Sequence, residues 1–289
     1  MDKLIVILGP TASGKTQLAV ELASKYNAEI ISADSRQIYQ GMDIGTGKDL
    51  NEYTNNNIDI PYYLIDIISP KKDYSVFQFK KDFDKSYEII KSKNKLPILC
   101  GGTGFYIESI LLNYNMSKTK PDYKLRKKLE NKKISELKIQ LIEIDKNAFN
   151  PEYHISKRRL IRSIEILIDN NPINMKKIGE DRLNNSLIIG IDISRLEILE
   201  KIKIRLHDRL QDGMIDEVKG LIDLGISYNR LNYFGLEYKF IGKFLSQEIS
   251  YQEMQITLNN AINKFAKRQM TFFRRMEKRG IKIHWIKQN

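Results

Sequence analysis

Gly9-Pro10-Thr11-Ala12-Ser13-Gly14-Lys15-Thr16 reads G-x-x-x-x-G-K-[ST], the spacing of a phosphate loop. The residues before it, 4–8 (LIVIL), are a short apolar, β-branched run that suits a buried strand. After it, Leu18, Ala19, Leu22 and Ala23 fall at helical spacing over residues 16–25. Strand, glycine-bearing turn and helix supply the context such a loop needs. There the turn's N–H groups and the positive end of the helix face an anion together. Gly9 and Gly14 let the chain curl and approach phosphates closely. Lys15 brings a mobile point charge, and the Thr16 hydroxyl is placed to hold Mg²⁺.

Working outward, residues 28–33 (AEIISA) read as a second strand that ends at Asp34-Ser35-Arg36-Gln37. Asp34 thus sits at a strand's carboxyl end, the edge where ligands bind in open α/β sheets. Residues 40–57 are rich in Gly, Asn and Thr and read as loop. Residues 62–68 (YYLIDII) predict a third strand, stopped by Ser69-Pro70. Ser75 predicts an N-cap, with Val76, Phe79, Phe83, Tyr87 and Ile90 at helical spacing behind it. Residues 96–100 (LPILC) predict a fourth strand. It runs into Gly101-Gly102-Thr103-Gly104, a second glycine turn that brings backbone and the Thr103 hydroxyl toward the same ligand.

The fold class that follows is α/β: a phosphate-loop core with a mostly parallel sheet flanked by helices, plus a helical insertion. Residues 1–115 form the first part of the core. Residues 116–184 are Lys-rich and short of strand signals; Leu125, Leu129 and Ile134 are followed by a second helix over 156–168. Residues 185–289 return to the core. A strand over 187–192 (LIIGID) precedes helices at 195–210, 215–224, 236–245 and 251–278, with Gly213, Gly225 and Gly280 as stops. The alternating run 281–286 (IKIHWI) predicts a last strand at the sheet edge.

Composition narrows the class. Of the 289 residues 42% are hydrophobic, which argues for a packed core and against disorder. No apolar run approaches the roughly 18 residues that span a bilayer. The first apolar run leads straight into the phosphate loop, so no signal peptide is expected. The single Cys100 excludes an internal disulfide and any cysteine-based zinc site. A soluble, cytoplasmic protein is expected. The net charge of +12 is uneven: residues 118–162 carry fourteen Lys/Arg against six Asp/Glu, and residues 264–282 eight against one. Two basic blocks on a mildly acidic body fit a polyanionic partner, or a lysine-rich surface kept for solubility.

A phosphate loop names polyphosphate and Mg²⁺, not a reaction. A hydrolysing NTPase usually carries a metal-holding carboxylate at the end of a neighbouring strand, and strand 96–100 ends in Gly-Gly-Thr instead. Asp34 is the acidic residue at a strand end close behind the loop. It can hold Mg²⁺ through water, take a proton from a nucleophile, or cap the next helix.

The segments GPTASGKT, SADSRQIYQGMDIGTGK, PYYLIDI, YSVFQF, ILCGGTGFYI, RRLIRSIEI and FAKRQMTFFRR, in this order, resemble the tRNA dimethylallyltransferases (tRNA isopentenyltransferases). The resemblance spans residues 4–285. Its most specific parts are D-S-x-Q-x-Y at 34–39 and A-K-R-Q-x-T at 266–271. It implies transfer of a dimethylallyl group from dimethylallyl diphosphate to the exocyclic N6 of the adenosine just 3′ of the anticodon, position 37. Gly9, Pro10, Thr11, Ala12, Ser13, Gly14, Lys15 and Thr16 would then hold the departing diphosphate, with Mg²⁺ as the sole cofactor. The resemblance makes Asp34 the base, places Thr103 near adenosine and diphosphate, and extends Arg205 to the diphosphate; the other reading of Arg205 is an exposed helix arginine. An extruded adenine would meet Asp34, Ser35, Arg36, Gln37 and Thr103, glutamine being a natural partner for its edge. Against the tRNA anticodon stem-loop the resemblance sets Arg126, Arg158, Arg159, Leu160, Ile161 and Arg162 on one side and Lys267, Arg268 and Arg274 on the other. Phe272, Phe273 and Trp285 either stack on bases or, as we prefer, pack in the core. A monomer with no membrane association is expected.

The chain departs from the family pattern at Gly45–Asp49 (GTGKD for GTAKP), at Tyr62-Tyr63 (for a His pair) and at residues 154–159 (HISKRR for HPND-x-Q-R). These departures lie on the side expected to face RNA. Three other functions fit parts of the chain. An adenylate isopentenyltransferase acting on free AMP or ATP needs neither the insertion nor the basic C-terminal helix. A phosphate-loop small-molecule kinase has no use for D-S-x-Q-x-Y. A non-catalytic RNA-binding protein would not need an intact Gly14-Lys15-Thr16 and Asp34.

Overall fold

A computed structural model describes residues 3–55, 58–114, 116–151, 153–169 and 181–287. The chain divides into two compact units, one of residues 1–112 and 179–289, the other of residues 113–178.

The larger unit begins with β1 (Leu4–Leu8), α1 (Lys15–Tyr26) and β2 (Ala28–Ser32). A 3₁₀ turn at Leu50–Tyr53 and a small hairpin, β3 (Thr54–Asn55) and β4 (Ile58–Asp59), lead to β5 (Tyr62–Tyr63). Then come α2 (Val76–Ser92), β6 (Leu96–Gly101) and α3 (Gly104–Leu111). The smaller unit holds α4 (Tyr123–Glu130), α5 (Ile134–Ile144) and α6 (Lys157–Ile168). The larger unit resumes with α7 (Asp181–Asn184), β7 (Ser186–Asp192), α8 (Arg195–Gln211), α9 (Met214–Asp223) and α10 (Tyr228–Phe234). It ends with α11 (Leu236–Leu245), α12 (Tyr251–Lys278) and β8 (His284–Lys287).

The six-stranded sheet runs in the order β5-β2-β6-β1-β7-β8, and each pairing is parallel. Parallel neighbours need crossover connections, which here are mostly helical and cover the sheet. Hence the central strands are mostly apolar: Val6, Ile7, Ile30, Ile31, Ile98 and Leu99 are fully buried. Register decides where the loops emerge. Leu8 pairs with Gly101 and Ser32 with Cys100, so β1, β2 and β6 end at one level. The phosphate loop, Asp34 and the Gly-Gly-Thr turn therefore leave the sheet side by side.

Local signals place most boundaries. Ser75 caps α2 in a reciprocal box with Gln78, and Ser194 with Glu197 and Ser250 with Glu253 do the same for α8 and α12. Gly213, Gly225 and Gly280 take φ of 98°, 86° and 90°, the left-handed region that ends a helix. Residues 62–68, expected as one strand, pair with the sheet only at Tyr62 and Tyr63. Leu64 and Asp66 turn to φ of 62° and 56°, and Ile68 makes a single bridge to Tyr39. The loop expected over 40–57 contains the 3₁₀ turn and β3, which pairs with β4 just beyond it. The helix expected around Leu125–Ile134 is two, broken at residues 131–133.

In the smaller unit Leu129, Leu137, Leu141, Leu160, Ile161 and Ile164 form a separate apolar cluster. Beside it the buried Glu165 pairs with Arg126 at 2.8 Å and with Arg162, and accepts from the Asp122 N–H at 2.6 Å.

Candidate active site

The phosphate loop is shaped by contacts that a larger residue would break. A Cβ at Gly9 would lie 2.8 Å from the Ser13 hydroxyl and 3.2 Å from Ile191, and Gly14 takes φ 81°. Lys15 Nζ donates to the Pro10 carbonyl at 2.6 Å. Burial holds the Lys15 ammonium down to about 8; Arg205 adds to this, whereas Asp34 and Glu52 oppose it.

Two helices from the far end of the chain meet this loop at Thr11. From α8, Arg205 donates to the Thr11 hydroxyl. From α12, Gln269 accepts from the Thr11 N–H at 2.9 Å through Oε1 and donates to the Gly102 carbonyl at 2.9 Å through Nε2. One buried amide thus ties the phosphate loop to the second glycine turn. Gly102 must be glycine for this, since its Cβ would fall 2.4 Å from Gln269 Nε2. Arg205 is no free surface arginine: burial first, and neighbouring Arg209 second, bring it down to about 10.

The loop opens onto a cavity of about 870 Å³ within the larger unit. Asp34, Ser35, Arg36, Gln37 and Thr103 line it together with Thr11–Thr16 and Arg205. Asp34 Oδ1 accepts from the Arg36 N–H at 2.8 Å, a tight Asx turn, and its other oxygen has no protein partner among the described residues. Thr103 Oγ1 accepts from the Ser35 N–H at 3.0 Å and clasps the turn after β2. Gln37 Nε2 donates to the Gly47 carbonyl at 2.7 Å, and its Oε1 accepts from the Ser32 hydroxyl at 3.0 Å. One amide hydrogen and one lone pair of Gln37 remain for a ligand. The Arg36 guanidinium lies 5.3 Å from the centre of the Tyr233 ring. The Thr16 hydroxyl lies near enough to Glu52 to favour its charged form, but burial first and Asp49 next leave that carboxyl raised above its ordinary value. A hydroxyl beside a carboxylate is a donor set that suits a hard cation such as Mg²⁺. Among the described residues no group of three or more His, Cys, Asp or Glu gathers as a metal site.

The residues expected at RNA differ in what they leave exposed. On α12, Ile262, Phe265, Arg268, Gln269 and Phe272 turn one face to the cavity, while Lys267 and Arg274 are exposed on another. In the smaller unit Arg158 is exposed, and Arg159 stacks over Tyr153 and donates to its carbonyl at 2.9 Å. Arg126 and Arg162 are committed to Glu165, and Arg162 also donates to the Thr119 carbonyl at 2.7 Å. Leu160 and Ile161 correct the expectation: 0% and 5% exposed, their side chains build the core from which the arginines project and offer RNA no surface. Phe273 is buried, Trp285 donates to Glu277 at 2.8 Å, and only Phe272 of the three aromatics lines the cavity.

Several residues that shape the site carry no sequence signal strong enough to single them out. Buried Lys48 reaches the Tyr39 carbonyl at 2.7 Å, Asp43 at 2.6 Å and Asp66. Glu217 on α9 accepts from the N–H groups of Asp43, Ile44 and Gly45 at 2.7, 2.7 and 3.0 Å. The GTGKD departure has a physical reason. Gly47 (φ 64°) has the Arg209 guanidinium where a Cβ would be, and Asp49 has φ 43°, closed to proline, and pairs with Arg209 at 3.0 Å. The Tyr63 hydroxyl donates to buried Glu29 at 2.6 Å, at the amino end of the sheet and away from the cavity. His154 is buried too, its Nε2 bonded to Ser163 at 2.9 Å.

Comparison with known proteins agrees with this geometry. A family model described as IPP transferase matches residues 37–276, and one described as isopentenyl transferase matches residues 2–63. The tRNA dimethylallyltransferase 1 of Azobacteroides pseudotrichonymphae is 49% identical, covering 98% of this chain and 92% of that protein. The tRNA dimethylallyltransferase 2 of Bacteroides fragilis matches with the same identity and coverage. The crystal structure of the full-length tRNA isopentenylpyrophosphate transferase of Bacillus halodurans is 32% identical, with a TM-score of 0.71 over 99% of this chain and 90% of that one. A eukaryotic dimethylallyltransferase acting on tRNA, 22% identical, shares the fold with a TM-score of 0.80 over 99% of this chain and 73% of that one. With near-complete coverage, and with a phosphate loop, Asp34 and Thr103 around one cavity, the chain belongs to the IPP transferase family, the tRNA dimethylallyltransferases.

Proposed function

We infer that this protein transfers a dimethylallyl group from dimethylallyl diphosphate to N6 of adenosine 37 in tRNA. The observation that carries the reading is a carboxylate with one unengaged oxygen, Asp34, lining the same cavity as the phosphate loop. An adenine N6 is a weak nucleophile, because its lone pair is drawn into the ring. As the C–N bond forms, Asp34 accepts the N6 proton; a positioned base of this kind contributes about 10²–10⁴-fold. The C–O bond to the diphosphate breaks as the new bond forms, so negative charge grows on the leaving group. Lys15, Arg205 and the loop N–H groups surround the place where it grows. Thr16 and Glu52 would hold Mg²⁺, which when bound offsets diphosphate charge. Thr103 fixes the turn that carries Asp34 through its bond to the Ser35 N–H.

Adenine extrusion is required, since N6 inside a stacked loop is out of reach of a cavity wall. Gln37 keeps one amide hydrogen and one lone pair for the adenine edge. Lys267, Arg268, Arg274 and Arg158 supply positive charge for the backbone, where contacts position rather than specify. No helix among the described residues is long and apolar enough to cross a membrane. We place the activity in the cytoplasm, with the protein acting as a monomer.

The test is incubation with unmodified tRNA, dimethylallyl diphosphate and Mg²⁺, followed by mass analysis of nucleosides. A prenylated adenosine is expected, and AMP in place of tRNA is expected to react far more slowly. Asp34→Asn should lose at least about 100-fold in kcat while diphosphate binding persists. Equal turnover of AMP and tRNA, or an unaffected Asp34→Asn, overturns the reading.

A further inference from the structure

Loop 43–49 forms a wall of the cavity and is moored at three places. Glu217 takes three of its N–H groups, and buried Lys48 ties it to Tyr39, Asp43 and Asp66. The third mooring is Arg209. Its side chain is 8% exposed, its Nη2 bonds Asp49 Oδ2 at 3.0 Å, and its buried Nε has no hydrogen-bond partner. The guanidinium lies against the bare Cα of Gly47: a Cβ there would sit 1.9 Å from Nη2 and 2.7 Å from Cζ. Through its carbonyl Gly47 receives the Gln37 amide at 2.7 Å.

We propose that Arg209 is a positioning residue for Gln37: pinned by Asp49 and seated on Gly47, it fixes the carbonyl that aims the Gln37 amide at the extruded base. The proposal rests on the reading of the site as a tRNA prenyltransferase centre. Arg209 does not itself touch the base. A planar group packed on a glycine with φ 64° leaves that peptide one orientation, so the Gly47 carbonyl stays toward Gln37. With the Gly47 and Ser32 bonds in place, the free hydrogen and lone pair of the Gln37 amide point one way. If the carbonyl is released the amide turns, and the base edge loses a fixed partner.

Arg209 is one helical turn from Arg205, so a rival role is direct support of the diphosphate. Kinetics with both substrates separate the two. Arg209→Met keeps length and flexibility without a planar cation. It is expected to lower kcat/KM for tRNA about 10-fold, the scale of one misplaced hydrogen bond, and to leave KM for dimethylallyl diphosphate within about twofold. Gly47→Ala is expected to lose at least as much, because its methyl group displaces the guanidinium. The two losses are not multiplicative: Gly47→Ala with Arg209→Met should lose less than the product of the single losses, since methionine can move away from the methyl while only the backbone strain of alanine at φ 64° remains. Adding Arg209→Met to Gln37→Ala should cost nothing further. Multiplicative losses overturn the proposal, and so does a raised KM for the diphosphate with tRNA kinetics unchanged. Thermal unfolding of each variant is followed in parallel; a lowered Tm with wild-type kinetics also overturns it and leaves Arg209 a purely structural anchor. A wild-type protein inactive on tRNA would instead overturn the proposed function.

Discussion

Gln269→Ala should cripple diphosphate binding although its amide has no free role in the chemistry. The side chain spans two turns, taking the Thr11 N–H and giving a hydrogen to the Gly102 carbonyl, both at 2.9 Å. Truncation orphans both groups, at about 1–3 kcal/mol each. Water entering from the cavity recovers roughly half of that, leaving about 1–3 kcal/mol against the formed loop. Every 1.4 kcal/mol is about tenfold, so affinity should fall about 5- to 100-fold. Calorimetric titration with inorganic diphosphate in Mg²⁺ reads this without any RNA. Gln269→Glu is the sharper variant: it preserves shape and the acceptor for Thr11, but puts a carboxylate against the Gly102 carbonyl and beside an anion site. It should bind diphosphate more weakly than Gln269→Ala. Wild-type affinity in Gln269→Ala would refute the argument that this amide shapes the loop, and tighter binding in Gln269→Glu would refute its electrostatic part.

Other outcomes follow from the same geometry. Gly9→Ala forces the Ser13 hydroxyl or Ile191 to move, and diphosphate affinity should drop at least about 10-fold. Lys15, held down to about 8, is charged below that pH and neutral above it. Affinity for dimethylallyl diphosphate should therefore decline as pH rises through about 8 to 9, and Lys15→Met should lose that dependence while binding weakly throughout. His154 is held below its ordinary 6.5 mainly by burial, so the folded smaller unit favours the neutral ring. The unfolded chain binds that proton more readily, so stability is full above about 6.5 and falls as pH drops below it; thermal melts between pH 5 and 7.5 should show the loss, and His154→Gln should flatten it. Chelation of Mg²⁺ should stop prenyl transfer and weaken diphosphate binding, with activity restored on adding the metal back.

What the sequence made legible is what is local. LIVIL followed by G-x-x-x-x-G-K-T fixes strand, turn and helix within 26 residues, and Ser75 announces α2, which starts at the next residue. Asp34 and Thr103 could be placed because each ends an apolar run. YYLIDII failed as a strand because its composition is right and its context is not: Asp66 turns to reach Lys48, and Leu64 goes left-handed on the way. α10 escaped notice because seven residues give hardly two turns of periodicity, although Ser227 caps it by accepting from the Arg230 N–H. Leu160 and Ile161 were drawn toward RNA by their arginine neighbours, yet their helix has two faces and they lie on the inner one. Gln269 is marked by the A-K-R-Q-x-T segment, but its task is not; Arg209 and Glu217 are marked by nothing local, because each is one polar residue among several on its helix and its partner lies 160 or more positions away.

The Thr11–Gln269 bond joins residues 258 positions apart. A ribosome making this protein must add 258 residues after Thr11 before the amide that holds the phosphate loop is made. Such distant closure is slow, because the entropy of the intervening chain is lost before the contact rewards it. A chain that stopped between α1 and α12 would carry the phosphate loop without the amide that ties it to the Gly102 turn, and should bind diphosphate more weakly than the finished protein.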